Sequence, residues 1–243
     1  MRQSDCTGYV IARRSLKDND RIIVIFTLEQ GKISLIAKGI KKPRAKLQAH
    51  TEPLVETRFS YIGKGKLPTL VAARTQALNI FFEAKLEARL MALLITEVLD
   101  LITIEAQPNN TLYHCYKSSL EEIGSGSNVL LTATFALLGM MKYSGLAPDI
   151  RGIEGHSKYY FNMTDGRVAS SKTNIDAIVI SPDAVKLWSI CTNYNISTCL
   201  RLKLENRTLV ESLSLLLGYL QYSFDRKIKS IKVISESTEL LHA

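Results

Sequence analysis

The 243-residue chain carries a net charge of +8, and 46% of its residues are hydrophobic, enough to bury one large core or two small ones. Its longest apolar runs, at residues 90–95 and 213–217, are far shorter than the roughly 20 residues that cross a bilayer, which excludes a membrane-spanning helix. The polar start lacks the apolar core of a secretory signal, and the four cysteines form no CxxC pair. We therefore expect a cytoplasmic protein with reduced thiols.

The positive charge is concentrated in the first third of the chain. Residues 1–80 hold 15 Lys and Arg against 6 Asp and Glu, whereas residues 81–243 hold 16 against 17. Charge that served solubility alone would be spread more evenly. Its concentration favours a polyanionic partner for the N-terminal part.

Short apolar or alternating segments separated by turn residues predict five β-strands in that part. A β-branched run at residues 22–25 indicates a buried strand, and Gly31 is expected to supply positive φ in the turn that follows. The predicted strands cover residues 7–13, 21–28, 32–38, 54–62 and 69–76. Five short strands without a long helix indicate a barrel of the OB type over residues 1–80, with an SH3-like barrel as the alternative.

From about residue 83 the apolar period changes from two to nearly four, which predicts a helical domain over residues 81–243. Pro108 is expected in the first turn of the second helix, Ser181 as an N-cap, and Thr208 as an N-cap in a capping box with Glu211. A small hairpin is expected within residues 149–174, and residues 235–243 are expected to fray. The predicted helices cover residues 83–104, 108–123, 129–143, 184–194 and 209–224. The fold class is therefore α+β, an OB-type barrel followed by a helical bundle with a small hairpin insertion.

The densest local signal is the sequence KGIKKPRAK at residues 38–46, which contains five cations and no acid. A charge run is often only a solvated surface. In a loop that follows a strand of an OB barrel, however, it favours contact with a nucleic-acid backbone. Tyr9, Phe59 and Tyr61 are candidate stacking rings, although aromatic residues at alternating strand positions are more often core. The expected nucleic-acid contacts are Lys38, Lys41, Lys42, Arg44, Lys46, Arg13, Arg14, Lys17, Lys64 and Lys66.

The sequence contains no convincing active site. It has no GxxxxGK[ST] phosphate loop, no GxSxG elbow and no HExxH pair. His114 and Cys115 are neighbours on a predicted helix and so point to different faces. We predict no catalytic residue, no cofactor and no metal. Cations beside apolar helix faces in the second domain favour a peptide or protein partner, with candidate contacts at Phe135, Lys142, Arg201, Lys203 and Arg207.

Four segments resemble the RecO family of bacterial recombination mediators, and they span nearly the whole chain. They are the stretch from GYVIARR through FTLEQGKISLIAKG to KKPRAKLQ, then LVETRFSYIGKGKLPTLVAA, FALLGMMKYSGLAPDI and LGYLQYSFDRKIKSIK. The resemblance implies an OB fold and a helical domain, binding of single- and double-stranded DNA, annealing of complementary strands, and help in loading RecA. It also implies two partners, RecR and the acidic tail of the single-stranded-DNA-binding protein, and a location at the nucleoid. The implied DNA contacts fall on Lys38, Lys41, Lys42 and Arg44, with Arg13 and Arg14.

Two departures from the family pattern bear on these expectations. Many members carry a four-cysteine zinc site after the GLAPDI-like turn, but this chain has no cysteine there, so zinc is not expected. Members often place a basic residue just before the Phe of the FALL-like helix, where this chain has residues 132–134, TAT. From the residues alone, two alternatives stay open. They are an adaptor whose barrel binds acidic protein segments and an RNA-binding OB protein.

Overall fold

The computed structural model describes residues 3–63, 65, 67–76, 81, 83–151, 155–172 and 175–241. The chain divides into two compact units. Unit 1 comprises Met1–Glu83 and Ile102–His114, and unit 2 comprises Ala84–Leu101 and Cys115–Ala243.

Unit 1 is built on a closed five-stranded barrel. Its strands are β1 Gln3–Ser15, β2 Arg21–Thr27, β3 Gly31–Ala37, β4 Thr57–Ile62 and β5 Thr69–Thr75. The order around the barrel is β1-β2-β3-β5-β4, and only the β3–β5 pair is parallel. This arrangement confirms the OB-type barrel. β1 is longer than predicted because its first half pairs with β4 and its second half with β2.

The barrel core consists of alternate strand residues, as the period of two requires. Ile23 and Ile25 of β2, Leu35 of β3 and Phe59 of β4 belong to one buried cluster. The connection between β3 and β4 contains a short 3₁₀ helix, Ala49–Thr51, and contributes Ile40 and Leu47 to the same cluster. This connection is therefore attached to the core at two points.

The helices confirm the predicted bundle elements. They are α1 Leu86–Ile102, α2 Asn110–Gly124, α3 Val129–Tyr143, α4 Pro182–Asn193, α5 Ile196–Cys199, α6 Asn206–Phe224 and α7 Lys229–Ser237. Pro108 precedes α2, because the Asn109 side chain accepts a hydrogen bond from the Leu112 amide and caps the helix. The prediction of a frayed end was wrong for residues 235–237, which belong to α7.

Among the residues described, no helix is long and apolar enough to cross a membrane.

A small sheet lies between α3 and α4 in the chain. The predicted hairpin forms β6 Tyr159–Asn162 and β7 Arg167–Ala169, and β8 Ala177–Ile180 adds a third strand on the other side of β6. Phe161 of β6 packs edge-on against Trp188 of α4 and Tyr219 of α6, with ring centroids 5.1 and 5.3 Å apart. These aromatic contacts fix the sheet to the helices of unit 2.

The capping box predicted at Thr208 does not form. The helix begins at Asn206, and Thr208 is buried in its first turn. The carboxylate of Glu211 instead accepts hydrogen bonds from the Ser181 amide (2.8 Å) and the Ser181 hydroxyl (2.6 Å). Ser181 itself caps α4, as predicted, by accepting a hydrogen bond from the Ala184 amide. Glu211 therefore stabilises the start of a different helix.

Replacing Glu211 by alanine should lower the free energy of unfolding by about 1.5–3 kcal/mol, because hydrogen bonds to a charged group are lost. The measurement is urea denaturation followed by circular dichroism. Glu205→Ala is the control, since Glu205 is exposed, makes no side-chain cap bond to α6, and should change stability by less than about 0.5 kcal/mol. Equal losses in the two variants would contradict this role of Glu211.

Candidate functional site

Residues 38–46, here called the basic loop, lie against the loop between β1 and β2. The Lys41 ammonium donates hydrogen bonds to the Ser15 hydroxyl and the Lys17 carbonyl, each at 2.9 Å. Two backbone amides add to this junction, from Lys41 to the Asn19 carbonyl (3.1 Å) and from Gly39 to the Asp20 carboxylate (2.7 Å). The structure thus brings two of the predicted basic segments together.

The basic loop is preordered. Successive backbone hydrogen bonds from Lys42 to Gly39 and from Ala45 to Lys42 wind it into turns. Ile40 is 2% exposed and, with Leu47, joins the barrel core. Because the loop is fixed on folding, a ligand would bind without paying much of the cost of ordering it.

Four cations project from this loop. Lys38, Lys42, Arg44 and Lys46 are exposed, and within the described part of the chain none forms an ion pair. Lys17 is also exposed in the neighbouring loop, where Asp18 is the exposed acid. Mutual repulsion among these cations makes the surface attractive to an anion of extended shape.

The other predicted contacts have different surroundings. Arg13 pairs with Glu52 at 2.6 Å, with the two side chains 32% and 45% exposed, so part of its charge is neutralised at small benefit to stability. Arg14 is exposed. Lys41 is half-buried, and its two hydrogen bonds leave one N–H of the ammonium for a ligand. Lys64 and Lys66 lie outside the described residues.

The candidate stacking rings are not available. Tyr9 is 5% exposed, Phe59 is fully buried and Tyr61 is 7% exposed. The Tyr61 hydroxyl donates to the Gln30 side-chain oxygen at 2.9 Å, inside the same unit. The interpretation of these rings as base-stacking surfaces was therefore wrong.

Residues 103–113, here called the covering segment, lie on the outside of β2 and β3. The Ala106 amide donates to the Lys32 carbonyl (2.9 Å), and the Lys32 ammonium donates to the Thr103 carbonyl (3.3 Å). The Ser34 hydroxyl donates to the Glu105 carboxylate at 2.8 Å. The segment thus pairs with β3 along the barrel wall.

Tyr113 completes this cover. Its ring lies 6.0 Å from the ring of Phe26 and 5.8 Å from that of Tyr9, and its hydroxyl donates to the Glu56 carboxylate at 2.8 Å. Burial, and then the bond to Glu56, raise the pKa of Tyr113 far above its ordinary value. OB folds bind oligonucleotides on the face of strands 2 and 3 and on adjoining loops. In this chain, residues of the covering segment contact that face: Tyr113 packs against Phe26 of β2, and Ala106 and Glu105 bond to β3.

Sequence reasoning missed the covering segment. Gly31 was expected to supply positive φ, and its φ of +69° confirms this. A Cβ on Gly31 would also stand 2.2 Å from the Gln107 carbonyl oxygen. That second requirement comes from a residue 76 positions later, and no local pattern could have indicated it.

An open groove of about 490 Å³ lies at the start of α3 in unit 2. Its lining includes Leu131, Leu202 and Leu209 together with Lys203 and one acid, Glu205. The positive end of the α3 dipole also lies there, since Asn128 caps the helix through the Leu131 amide. The groove thus combines apolar walls with the positive end of a helix and one side chain of each charge.

The structure places only some of the predicted partner contacts at or near this groove. Lys203 lines the groove, Arg201 and Arg207 are exposed near it in the chain, and Phe135 is half-buried one turn after Leu131. Lys142 lies near the other end of α3, where its ammonium donates to the Thr192 carbonyl at 2.9 Å. Lys142 is therefore separated from the groove.

The titratable groups of the described residues form no metal centre. No group of three or more His, Cys, Asp or Glu there could hold a metal ion. Burial raises the pKa of Cys6 to about 12 and that of Cys115 to about 11, so both thiols are protonated at neutral pH.

Comparisons with known proteins agree with this architecture. The N-terminal model of the family described as recombination protein O matches residues 1–78, and the C-terminal model of the same family matches residues 83–232. A protein of Moorella thermoacetica named DNA repair protein RecO is 25% identical, over 94% of this chain and 89% of its own length. Proteins of the same name from Syntrophus aciditrophicus (24% identical, over 94% of both chains) and Listeria monocytogenes (29%, over 59% of this chain and 56% of its own) are also similar. The chain therefore belongs to the recombination protein O family.

Proposed function

We propose that this protein is a non-enzymatic recombination mediator that binds single- and double-stranded DNA through the basic loop, anneals complementary strands and assists RecA loading. Family membership indicates a role in DNA repair and recombination. The observation that carries the proposal is the preordered basic loop with its four exposed cations, Lys38, Lys42, Arg44 and Lys46.

The covered face of β2 and β3 supports a mode of binding in which the basic loop contacts phosphates and not bases. Contacts made by lysines and arginines to phosphates position a strand without reading its sequence. Neutralised phosphates repel each other less, and bases that are not held by the loop are free to pair. Annealing by this surface should therefore be tolerant of sequence.

A salt titration of single-stranded DNA binding tests the proposal. With four phosphates contacted, the slope of log K against log salt should be about −3, so affinity falls about 50-fold between 50 and 200 mM salt. The measurement is fluorescence anisotropy with a labelled oligonucleotide, and an affinity independent of salt would contradict the proposal.

Matched RNA strands test the RNA-binding alternative, because the 2′-OH is the group that differs. Displacement by an acidic peptide, but not by oligonucleotides, would favour the adaptor alternative.

We further propose that the groove at the start of α3 binds the acidic tail of the single-stranded-DNA-binding protein. Its apolar walls, Lys203 and the positive end of α3 support this assignment. RecR and RecA are proposed as further partners, and the nucleoid as the location, on the basis of the family resemblance.

Reversing the charge of Lys203 tests the groove. Lys203→Glu should weaken binding of an acidic C-terminal peptide about 10-fold or more, because it replaces attraction with repulsion beside a helix N-terminus. The measurement is isothermal titration calorimetry. Lys142→Glu, which makes the same charge change away from the groove, should bind the peptide nearly as the parent does. A larger loss for Lys142→Glu would assign the tail to the other end of α3.

A further inference from the structure

A second dense basic segment lies in unit 2. Residues 226–232, RKIKSIK, hold four of the 16 Lys and Arg that follow residue 80. Outside this segment, residues 81–243 carry 12 Lys and Arg against 17 Asp and Glu. The four cations, Arg226, Lys227, Lys229 and Lys232, are all exposed. They concentrate positive charge in one short segment, whereas the rest of residues 81–243 has more acids than bases.

Remote side chains fix the backbone of this segment. The Glu97 carboxylate of α1 accepts hydrogen bonds from the Lys229 amide (2.8 Å), the Ser230 amide (2.9 Å) and the Ser230 hydroxyl (2.6 Å). The Gln221 side chain accepts one from the Ile228 amide at 3.0 Å. Ile228 is 4% exposed, and Ile234, six residues further on, is fully buried. The cations therefore project from a rigid element.

The acids near the segment neutralise it only in part. The Glu97 carboxylate accepts its hydrogen bonds from the first turn of α7. Glu236 lies 3.6 Å from Lys232, and this exposed ion pair contributes little to stability. Asp225 is exposed at the end of α6. Within the described residues, Arg226, Lys227 and Lys229 form no ion pair. The segment thus keeps a net positive charge.

We infer that residues 226–232 are a second nucleic-acid contact, which binds the phosphate backbone of a second DNA strand while the basic loop of unit 1 holds the first. The inference rests on the proposed annealing function, since annealing brings two polyanions together. Exposed cations on a rigid backbone match a phosphate chain, which presents charge at regular intervals. An acidic peptide is the competing ligand, and the test below separates the two.

The test is capture of a second strand by the full-length protein. A biotinylated oligonucleotide is immobilised and saturated with protein, and a labelled strand that is not complementary to it is then added, so that base pairing cannot contribute. The parent protein should capture the labelled strand. A triple variant, Arg226→Ala, Lys227→Ala, Lys229→Ala, should bind the first strand within about twofold of the parent but lose most of the capture. Its salt slope for capture should be lower by about 2, as expected for three lost phosphate contacts.

Two control variants and one further measurement make the outcome decisive. Lys158→Ala, Lys172→Ala, Lys186→Ala removes the same charge from exposed positions of unit 2 and should capture the second strand normally. Lys227→Arg, Lys229→Arg keeps the charge and should also capture it, which guards against misfolding as the cause of a loss. The annealing rate of complementary strands should fall with the Arg226 triple variant and with neither control variant.

Normal capture by the Arg226 triple variant would overturn the inference. So would an equal loss in the Lys158 triple variant, or a second site that is blocked by an acidic peptide but not by unlabelled DNA. If the parent protein does not bind even the first strand, the proposed function itself fails, and that result is distinct from failure of capture alone.

Discussion

Replacing Lys38, Lys42, Arg44 and Lys46 together by alanine should remove most of the affinity for single-stranded DNA. The expected loss is about 100-fold at 50 mM salt, and the slope of log K against log salt should approach zero, because the released counterions drive binding. Unit 1 should remain folded, since all four side chains are exposed and the loop keeps Ile40 and the Lys41 bonds. Fluorescence anisotropy across a salt series, with a thermal unfolding curve of each variant, measures both expectations.

A matched pair of double variants locates the site. Lys42→Ala, Arg44→Ala should reduce the magnitude of the salt slope by about 1.4. Arg58→Ala, Arg74→Ala removes the same charge from exposed, directly opposed positions on β4 and β5 and should leave the slope unchanged. If the second variant lowers the slope and the first does not, the strand follows the outside of β4 and β5.

Replacing Gly31 by alanine should destabilise unit 1 by about 2–4 kcal/mol, since a left-handed conformation costs an L-residue 1–2 kcal/mol and the hydrogen bonds of the covering segment are strained as well. The new Cβ would stand 2.2 Å from the Gln107 carbonyl oxygen. This oxygen is a backbone atom, so it can move away only if the covering segment shifts. Urea denaturation gives the stability. Hydrogen exchange of the Ala106 amide, which bonds to the Lys32 carbonyl, reports on the covering segment itself.

Gly145→Ala is the control for backbone conformation. Gly145 has a φ of +76°, but no atom lies within 4 Å of its added Cβ. The free energy of unfolding of this variant should therefore fall only by the cost of the left-handed conformation, about 1 kcal/mol. DNA binding by Gly31→Ala should persist, because the basic loop leaves β3 at the opposite end, about 20 Å from Gly31. Equal losses in the two variants would show that the approach to Gln107 is unimportant.

The barrel could be predicted from sequence because its signals are local. The β-branched run of β2 and the alternation in β4 depend only on neighbouring residues. The strand order depends on pairing between distant residues, and the sequence left an SH3-like barrel open. The partner of Glu211 could not be predicted in this way. Both Thr208 and Ser181 satisfy the pattern of a cap, and only the packing of α4 beside α6 decides which of them receives the carboxylate.

The sequence predicts the charge of the candidate site but not the arrangement of its side chains. The sequence indicates five cations at residues 38–46, but not that the Lys41 ammonium is directed to Ser15 while Lys42 stays exposed. The charge of residues 226–232 is hidden in the composition of residues 81–243, because acids elsewhere in that part of the chain offset it. The DNA contacts themselves stay a prediction for the titrations above.

The covering segment also has a consequence for the order in which the protein is synthesised. All five strands are synthesised before residues 103–113, so the outer face of β2 lacks the Tyr113 ring while α1 is being translated. A nascent chain that pauses in this interval would present a bare aromatic surface to chaperones or to other nascent chains. A fragment ended near residue 80 would keep that surface permanently, so an expressed barrel without residues 103–113 should aggregate.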